Sequence, residues 1–581
     1  MPVRLGVGTE YMELKPKQQV IIFALMPVVA FYLMEAYEHN AFAEVRVKAA
    51  IFNILLFEMI AWILYLLIGK MHIAIRIELG LAITFGLINH YVMAFRSTPF
   101  VPWDIFSIGT AASVAGNYDF TPTLRVVIVT LCFAGLMVLA RFLKKGVDIQ
   151  WKIRLPGAVL VILALCLFVN ALQQEEFQRK NYLYPFLFTP VYMTKVNGMA
   201  VTFAMNLAYV VVDKPQGYSA KEAEEILEDY KAKEKPDEMQ ELPNIVVIMD
   251  EAFSDLAVVG ELETNEDYMP FMHRMQQGAD NTITGYAQVS VCGGNTANSE
   301  FEFLTGNTMA FLPGGSIPYQ QYIKKNTPSL ASYLKELGYA TYAQHPYMES
   351  GWNRNQVYPL LGFDDLDFLP DYTGKTYVRK YVSDASDMQH IIDTYEQKEP
   401  GKPAFIFNVT MQNHGGYTEP YADLENRIHT PYQSTQLDQY LSLVRLSDEA
   451  LEELIDYFSQ VDEKTVVVFF GDHQPSDAVT APIVAYDEDS AARYQVPYLI
   501  WANYDIESAT NQNTSLNYLA AQVLTVAGVP TNAYQNYLLA LSEAYPVLSA
   551  AGKISEPGAG EDALLTYQKL QYYNLFEGDK E

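Results

Sequence analysis

Apolar residues along this chain gather in five runs between Val20 and Leu172, at 20–37, 49–69, 74–95, 124–143 and 153–172. Each is close to the ~20 residues a helix needs to cross a hydrocarbon core of ~30 Å. The pattern predicts five transmembrane helices. No small-residue cleavage pattern follows the first run, so it reads as an anchor and not as a removable leader. From Pro243 the pattern changes to short runs, NIVVIMD, YATYAQH, AFIFNVT, TVVVFFGDH and VPYLIWANY. These are continuously apolar and β-rich, as in strands of a largely parallel sheet covered on both faces. Helical stretches separate them, among them NTPSLASYLKELG, with Thr327 as the expected cap, Pro328 in the first turn and Gly338 at the end.

The expected organisation is a transmembrane domain over 1–172, a connector over 173–242, an α/β sandwich over 243–546 and a tail over 547–581. The connector begins with an apolar stretch suited to the membrane surface, FAMNLAYVVV, and continues as a charged helix ending near Pro236. The link from Arg96 to Thr123 is too long and aromatic for a simple hairpin, and places Trp103 at the outer interface. Glu58 and Glu78 lie within apolar runs, where an ionisable group is by default a functional candidate. The alternative is a carboxyl near a span end or protonated against another helix.

Basic residues orient the spans. Arg4, Lys15 and Lys17 precede the first, Lys70 and Arg76 flank the link between the second and third, and Arg141, Lys144, Lys145, Lys152 and Arg154 crowd the link between the fourth and fifth. All three groups fall on one side, which the positive-inside rule makes cytoplasmic. An odd number of spans then puts everything after Leu172 outside, so the expected location is the cell membrane, multi-pass, with an extracellular α/β domain. Charge follows the same division. Residues 1–172 carry 14 Lys and Arg against 10 Asp and Glu, so the net charge of −29 comes entirely from the rest of the chain. A domain that acidic repels nucleic acid, which excludes that class of partner. Of three cysteines, Cys132 and Cys166 fall in predicted spans, leaving Cys292 without a disulfide partner in the outer domain.

Reactive groups in an open parallel sheet collect at the carboxyl ends of its strands. Three runs finish on such groups: NIVVIMD leads into Asp250 and Glu251, TVVVFFGDH ends in Asp472 and His473, and AFIFNVTMQNHGGY runs into His414. Glu251, Asp472 and His473 together offer two carboxylates and an imidazole, a set suited to Mn²⁺ or Mg²⁺; the absence of clustered cysteines argues against structural zinc. The segment GGNTANSEFEFLTG, residues 293–306, sets Thr296 behind two glycines at the start of a helix. Asn295 or Thr296 could serve there as a simple cap. If Thr296 instead joins the metal set, coordination and the helix terminus would turn its hydroxyl into a nucleophile.

In order behind five spans, MDEAFSD, GGNTANSEFEFLTG, GWNRNQVY, MQNHGGY and FFGDHQP resemble the lipoteichoic acid synthase family of the alkaline phosphatase/sulfatase superfamily. The resemblance covers nearly the whole chain. It implies a sulfatase-type α/β sandwich with a mostly parallel central sheet, and a phosphoglycerol transferase that takes its donor group from phosphatidylglycerol. It implies Mn²⁺, with Mg²⁺ or Zn²⁺ as alternatives, on Glu251, Thr296, Asp472 and His473. Thr296 is then also the catalytic nucleophile, forming a glycerophosphoryl intermediate as diacylglycerol leaves. Substrate contacts fall on Trp352, Arg354, His414 and His345, and the implied acceptor is a glycolipid or a polyglycerolphosphate chain.

Arg354 suits a phosphate because a guanidinium can give it two parallel N–H bonds, and His414 suits proton transfer at an alkoxide. One departure is Tyr347, where the family pattern has an acidic contact to glycerol, with Glu349 two residues on. Recognition of the glycerol hydroxyls is thereby left open. Competing readings keep the nucleophile but change the group or acceptor, as in phosphoethanolamine transferases and glycan-modifying phosphoglycerol transferases. The single outer cysteine counts against the disulfide-rich phosphoethanolamine enzymes. A sulfatase proper needs a modifiable Cys or Ser where Thr296 stands, and a non-catalytic metal-binding scaffold would be marked by loss of a ligand.

Overall fold

The structure is a computed structural model that describes residues 15–96, 99–107, 120–143, 149–184, 190–210, 212–231, 241–313, 316–418, 420–484 and 491–578. Arg4, Lys144, Lys145 and the interior of the link after Arg96 lie outside the described residues. The chain divides into two compact units, Met1–Val211 and Val212–Glu581. This boundary falls inside the stretch read from sequence as a connector.

In the first unit five helices are long and apolar enough to cross a membrane: Pro16–Glu35, Val47–Ile68, Met71–Ala94, Leu124–Phe142 and Trp151–Gln173. Each matches one apolar run. Phe23, Phe31, Ala49, Ala61, Tyr65, Ala74 and Ile75 are buried between helices, whereas Leu124, Leu160 and Leu167 are exposed, as side chains facing lipid would be. The second helix stops at Gly69, whose φ of +76° lets its N–H close on the Tyr65 carbonyl. Glu58 accepts a bond from Trp62 Nε1 at 3.1 Å. Both carboxyl oxygens of Glu78 are buried without a hydrogen-bond partner among the described residues.

The second unit is built on strands β1 (Asn244–Asp250), β2 (Thr282–Gln288), β3 (Ala340–His345), β4 (Asp365–Phe368), β5 (Tyr377–Val378), β6 (Tyr381–Val382), β7 (Ala404–Val409), β8 (Thr465–Gly471), β9 (Gln495–Ala502), β10 (Thr514–Ser515), β11 (Val547–Ser549) and β12 (Gly552–Ile554). Eight form one sheet in the order β10-β2-β9-β8-β1-β7-β3-β4, while β5 pairs with β6 and β11 with β12. Within the large sheet, β9 is antiparallel to both β2 and β8, and the remaining pairings are parallel. Alternate residues of the central strands enter opposite cores: Ile245, Val247 and Met249 join one cluster, Val246 and Ile248 the other. Burial of both faces is why these strands read as unbroken apolar runs.

Two helix expectations need correction. The helix expected from Thr327 runs Leu330–Glu336, with Ser329 as cap in a reciprocal capping box with Ser332, while Thr327 Oγ1 donates to the Lys325 carbonyl. The charged connector helix runs Ala220–Asp229, stopping well before Pro236, and its Ala223 is buried in the second unit. The stretch after 546 is also more than a tail. It carries β11, β12 and the helix Glu561–Tyr572, whose Tyr567 and Leu570 are buried with Tyr518, Tyr537 and Leu541.

Candidate active site

Register sets the first two groups side by side. β1 pairs with β8 so that Asp250 stands opposite Gly471, and the next residues, Glu251 and Asp472, leave adjacent strand ends together. Gly471 is required here, because a Cβ on it would fall 1.9 Å from the Phe253 carbonyl oxygen. Asp472 Oδ1 accepts from the Ala252 N–H at 2.7 Å, and the Glu251 N–H donates to Thr410 Oγ1 at 3.0 Å. Asp250 does not join them: its Oδ1 accepts from Asn413 Nδ2 at 3.1 Å, beneath the site.

Glu251, Asp472 and His473 are all buried and each presents a ligand atom within 4.8 Å of the others. His473 Nε2 lies 3.2 Å from Asp472 Oδ2 and 3.8 Å from Glu251 Oε1. Its Nδ1 is 2.9 Å from the Gln474 carbonyl, which can only accept. That bond fixes the Nδ1–H tautomer and turns the Nε2 lone pair toward the carboxylates. Asp472 Oδ2 and His473 Nε2 are buried with no hydrogen-bond partner, the arrangement a cation would complete. Burial, with the neighbouring Asp472 charge, pushes Glu251 up to about 8. Two carboxylates this close resist ionising together unless positive charge joins them. The residues present therefore fit a divalent cation.

Thr296 opens the helix Thr296–Thr305. The cap, Asn295, has φ of +66° and makes no side-chain cap bond, and Thr296 Oγ1 donates to Glu251 Oε2 at 3.3 Å. Neither side chain acts as a plain cap. Gly293, at φ +69°, donates its N–H to the Gln474 carbonyl at 2.9 Å, so the loop before Thr296 is fastened to the strand end that carries Asp472 and His473. Ser299 and Glu300, three and four residues on, share the face of Thr296. Ser299 Oγ donates to the Asp472 carbonyl at 2.6 Å, and Glu300 accepts from Arg354 Nε at 3.0 Å and Nη2 at 2.5 Å, with Tyr358 on its other oxygen at 2.8 Å. Arg354 is thus not a surface ion pair: it is buried and held by Glu300 of the helix that Thr296 opens.

The remaining predicted contacts converge less tightly. Trp352 and Asn353 have consecutive positive φ values, +54° and +65°, a conformation costing non-glycine residues ~1–3 kcal/mol each; Trp352 is half-buried against the core. His345, at the end of β3, donates Nδ1–H to the Val409 carbonyl at 2.8 Å, and burial together with the Arg354 charge holds it well below the usual imidazole range. His414 is exposed on the loop after β7, its Nδ1 3.1 Å from the Tyr381 hydroxyl. Sequence reasoning missed Glu300, although its i+4 spacing from Thr296 was a usable signal. It also missed Arg379, Tyr381 and Tyr417, which frame His414.

Residues 243–529 match the sequence profile of the family described as Sulfatase. That stretch of the chain is therefore a Sulfatase-family domain. The chain is 29% identical over 506 residues to a putative cyclic β-1,2-glucan modification protein of Rhizobium meliloti, covering 83% of this chain and 77% of that one. It is 23% identical over 236 residues to lipoteichoic acid synthase 1 of Bacillus subtilis, covering 40% of this chain and 36% of that one. Against the solved phosphoglycerol transferase GacH of Streptococcus pyogenes the TM-score is 0.51 at 22% identity, over 62% of this chain and 94% of that one, a likeness of fold.

Proposed function

We propose that this protein is a membrane-anchored phosphoglycerol transferase. It moves glycerol phosphate from phosphatidylglycerol onto Thr296, releasing diacylglycerol, and then onto an acceptor hydroxyl outside the membrane. The observation that carries the reading is the Thr296 hydroxyl on Glu251, inside a buried group of ligand atoms and at a helix N-terminus. Glu251, Asp472, His473 and the Thr296 oxygen would hold the cation, with Mn²⁺ preferred and Mg²⁺ or Zn²⁺ as alternatives. When bound, it lowers the pKa of the threonine hydroxyl and neutralises phosphate charge.

Thr296 Oγ gives up its proton to solvent and attacks phosphorus, and the bond to the diacylglycerol oxygen breaks. His414 gives that oxygen a proton. In the second half His414 takes the proton of the acceptor hydroxyl as it attacks, the P–Oγ bond breaks, and Thr296 takes a proton back from solvent. Arg354, braced by Glu300, offers its guanidinium to a phosphate oxygen; Trp352 walls the glycerol, and His345, held neutral with its proton on Nδ1, leaves Nε2 to accept from a substrate hydroxyl. Positive-inside charge supports an extracellular site, where an outer-leaflet lipid donor is at hand.

The acceptor is the open half of the reaction. Likeness along 83% of the chain to a relative named as a putative cyclic β-1,2-glucan modification protein favours a glycan hydroxyl. The ordered motifs shared with lipoteichoic acid synthases favour a glycolipid or polyglycerolphosphate chain as the second reading. The test is diacylglycerol release by the full-length protein from labelled phosphatidylglycerol or phosphatidylethanolamine, with Mn²⁺ or chelator, followed by transfer to a β-glucan or to polyglycerolphosphate. Metal-dependent release from phosphatidylglycerol that Thr296→Ala abolishes supports the reading; release from phosphatidylethanolamine alone replaces it with phosphoethanolamine transfer.

A further inference from the structure

We propose that the turn Arg379–Lys380 is a subsite for a second oxyanion, a phosphate ester or diester presented beside the group being transferred. This rests on the transferase reading above. β5 and β6 pair through Tyr377↔Val382 and Val378↔Tyr381, so only Arg379 and Lys380 connect them. Two-residue hairpin turns favour Asn-Gly or other glycine pairs, because the backbone must take positive φ. Here Arg379 takes φ of +59°. A long side chain in that conformation costs local stability, and nothing in the turn itself offsets it.

The Arg379 side chain accounts for the choice. It is 7% exposed, and Nη2 donates to the carbonyls of Gln412 at 2.6 Å and His414 at 2.8 Å. Nε and Nη1 are buried with no hydrogen-bond partner, and among the described residues no carboxylate pairs with Arg379 or Lys380. The guanidinium instead lies 5.5, 5.3 and 5.8 Å from the ring centres of Tyr381, Tyr417 and Tyr421. A buried charge with two open N–H groups and no anion is costly. The two open nitrogens lie on different edges of the planar fork, Nη2 between them being held by the carbonyls, and each leaves a charged N–H for one oxygen of an anion. Lys380, exposed on the same turn, adds a second cation 5.1 Å from the Tyr381 ring.

The turn adjoins the transfer site through His414, whose carbonyl Arg379 holds and whose Nδ1 meets the Tyr381 hydroxyl. His414 stands in the fields of Asp472, Arg379 and Lys380 together. Tyr421 covers the guanidinium and is the side chain an entering anion would displace. Two sources share the required chemistry: a phosphate already on the acceptor, or the headgroup of a neighbouring anionic lipid.

The experiment uses the full-length protein with labelled phosphatidylglycerol, in detergent and in nanodiscs with or without phosphatidylserine. Glycerol serves as neutral acceptor and glycerol phosphate as anionic acceptor. Arg379→Gln and Lys380→Gln are expected to raise KM for glycerol phosphate about tenfold relative to glycerol, with Arg379→Lys in between. If the effect appears in detergent, the anion belongs to the acceptor; if it appears only with phosphatidylserine, it belongs to a lipid.

Calorimetric binding of inorganic phosphate under chelator reads the same subsite without turnover, and both variants should weaken it about tenfold. Lys380→Gln, at an exposed position, carries the test if Arg379→Gln does not fold. Equal change for both acceptors with unchanged phosphate binding overturns the proposal and leaves Arg379 as a brace for the His414 loop. Failure of the unsubstituted protein to transfer to either acceptor overturns the transferase reading instead, with phosphate binding still deciding the subsite.

Discussion

In the proposed reaction the chemistry turns on Thr296, and its neighbours make separable predictions. Thr296→Ala should reduce diacylglycerol release at least about a thousandfold, the scale lost when a nucleophile is removed, and should leave the melting temperature within a few degrees because only one long hydrogen bond, 3.3 Å to Glu251, is lost. Glu251 gives a pH signature. Its folded pKa, about 8, lies above the ordinary glutamate value of 4.5, so between those values the metal-free folded state holds a proton that the unfolded chain has released. Stability of metal-free protein should therefore fall as pH rises from about 5 to 8. Added Mn²⁺ needs the ionised carboxylate and should raise the melting temperature most at the alkaline end. Scanning fluorimetry with Mn²⁺ or chelator across that range checks it, and a metal effect independent of pH would contradict it.

Elements place these residues, and their legibility in the sequence varied for physical reasons. β1, β7 and β8 were readable because both faces of each are buried and the runs are unbroken. β2, TITGYAQ, was missed. It carries Gly285 at its centre, where a Cβ would lie 2.0 Å from the Gln512 carbonyl oxygen, so close backbone packing has removed the usual strand signal. Thr327 reads as a cap because it precedes a proline, but Ser329 and Ser332 satisfy each other's backbone N–H groups.

The ends of β1 and β8 advertised Glu251, Asp472 and His473, whereas Arg379 sits in a hairpin turn with none of the residues that normally mark one. Gly471→Ala should push the β8 end away from Phe253, costing ~1–3 kcal/mol and weakening Mn²⁺ binding together with stability, as calorimetry and melting would show. Glu300→Gln should leave the Arg354 charge buried and unpaired, at ~3–5 kcal/mol, a large fall in melting temperature that Arg354→Met, by removing the charge as well, should partly reverse.

At the scale of the whole molecule, five membrane-competent helices and an acidic α/β unit belong to one chain, and the net charge of −29 comes from the second part. The basic links predict an amino terminus inside and an α/β unit outside. In intact spheroplasts, added protease should remove a carboxyl-terminal epitope and spare an amino-terminal one; the reverse pattern would contradict the orientation. The apolar runs made the spans legible by length alone, while the identity of the acceptor depends on side chains scattered over distant turns and could not be read from any one segment.

The central claim is that Thr296 becomes covalently phosphorylated with glycerol phosphate. The most direct measurement is mass spectrometry of the full-length protein after incubation with phosphatidylglycerol and Mn²⁺ without acceptor, followed by acid quenching and digestion. A glycerophosphoryl adduct on the peptide bearing Thr296, absent under chelator and discharged when acceptor is added, is the predicted result. Diacylglycerol release at full rate with Thr296 unmodified, or persisting in Thr296→Ala, would contradict the account.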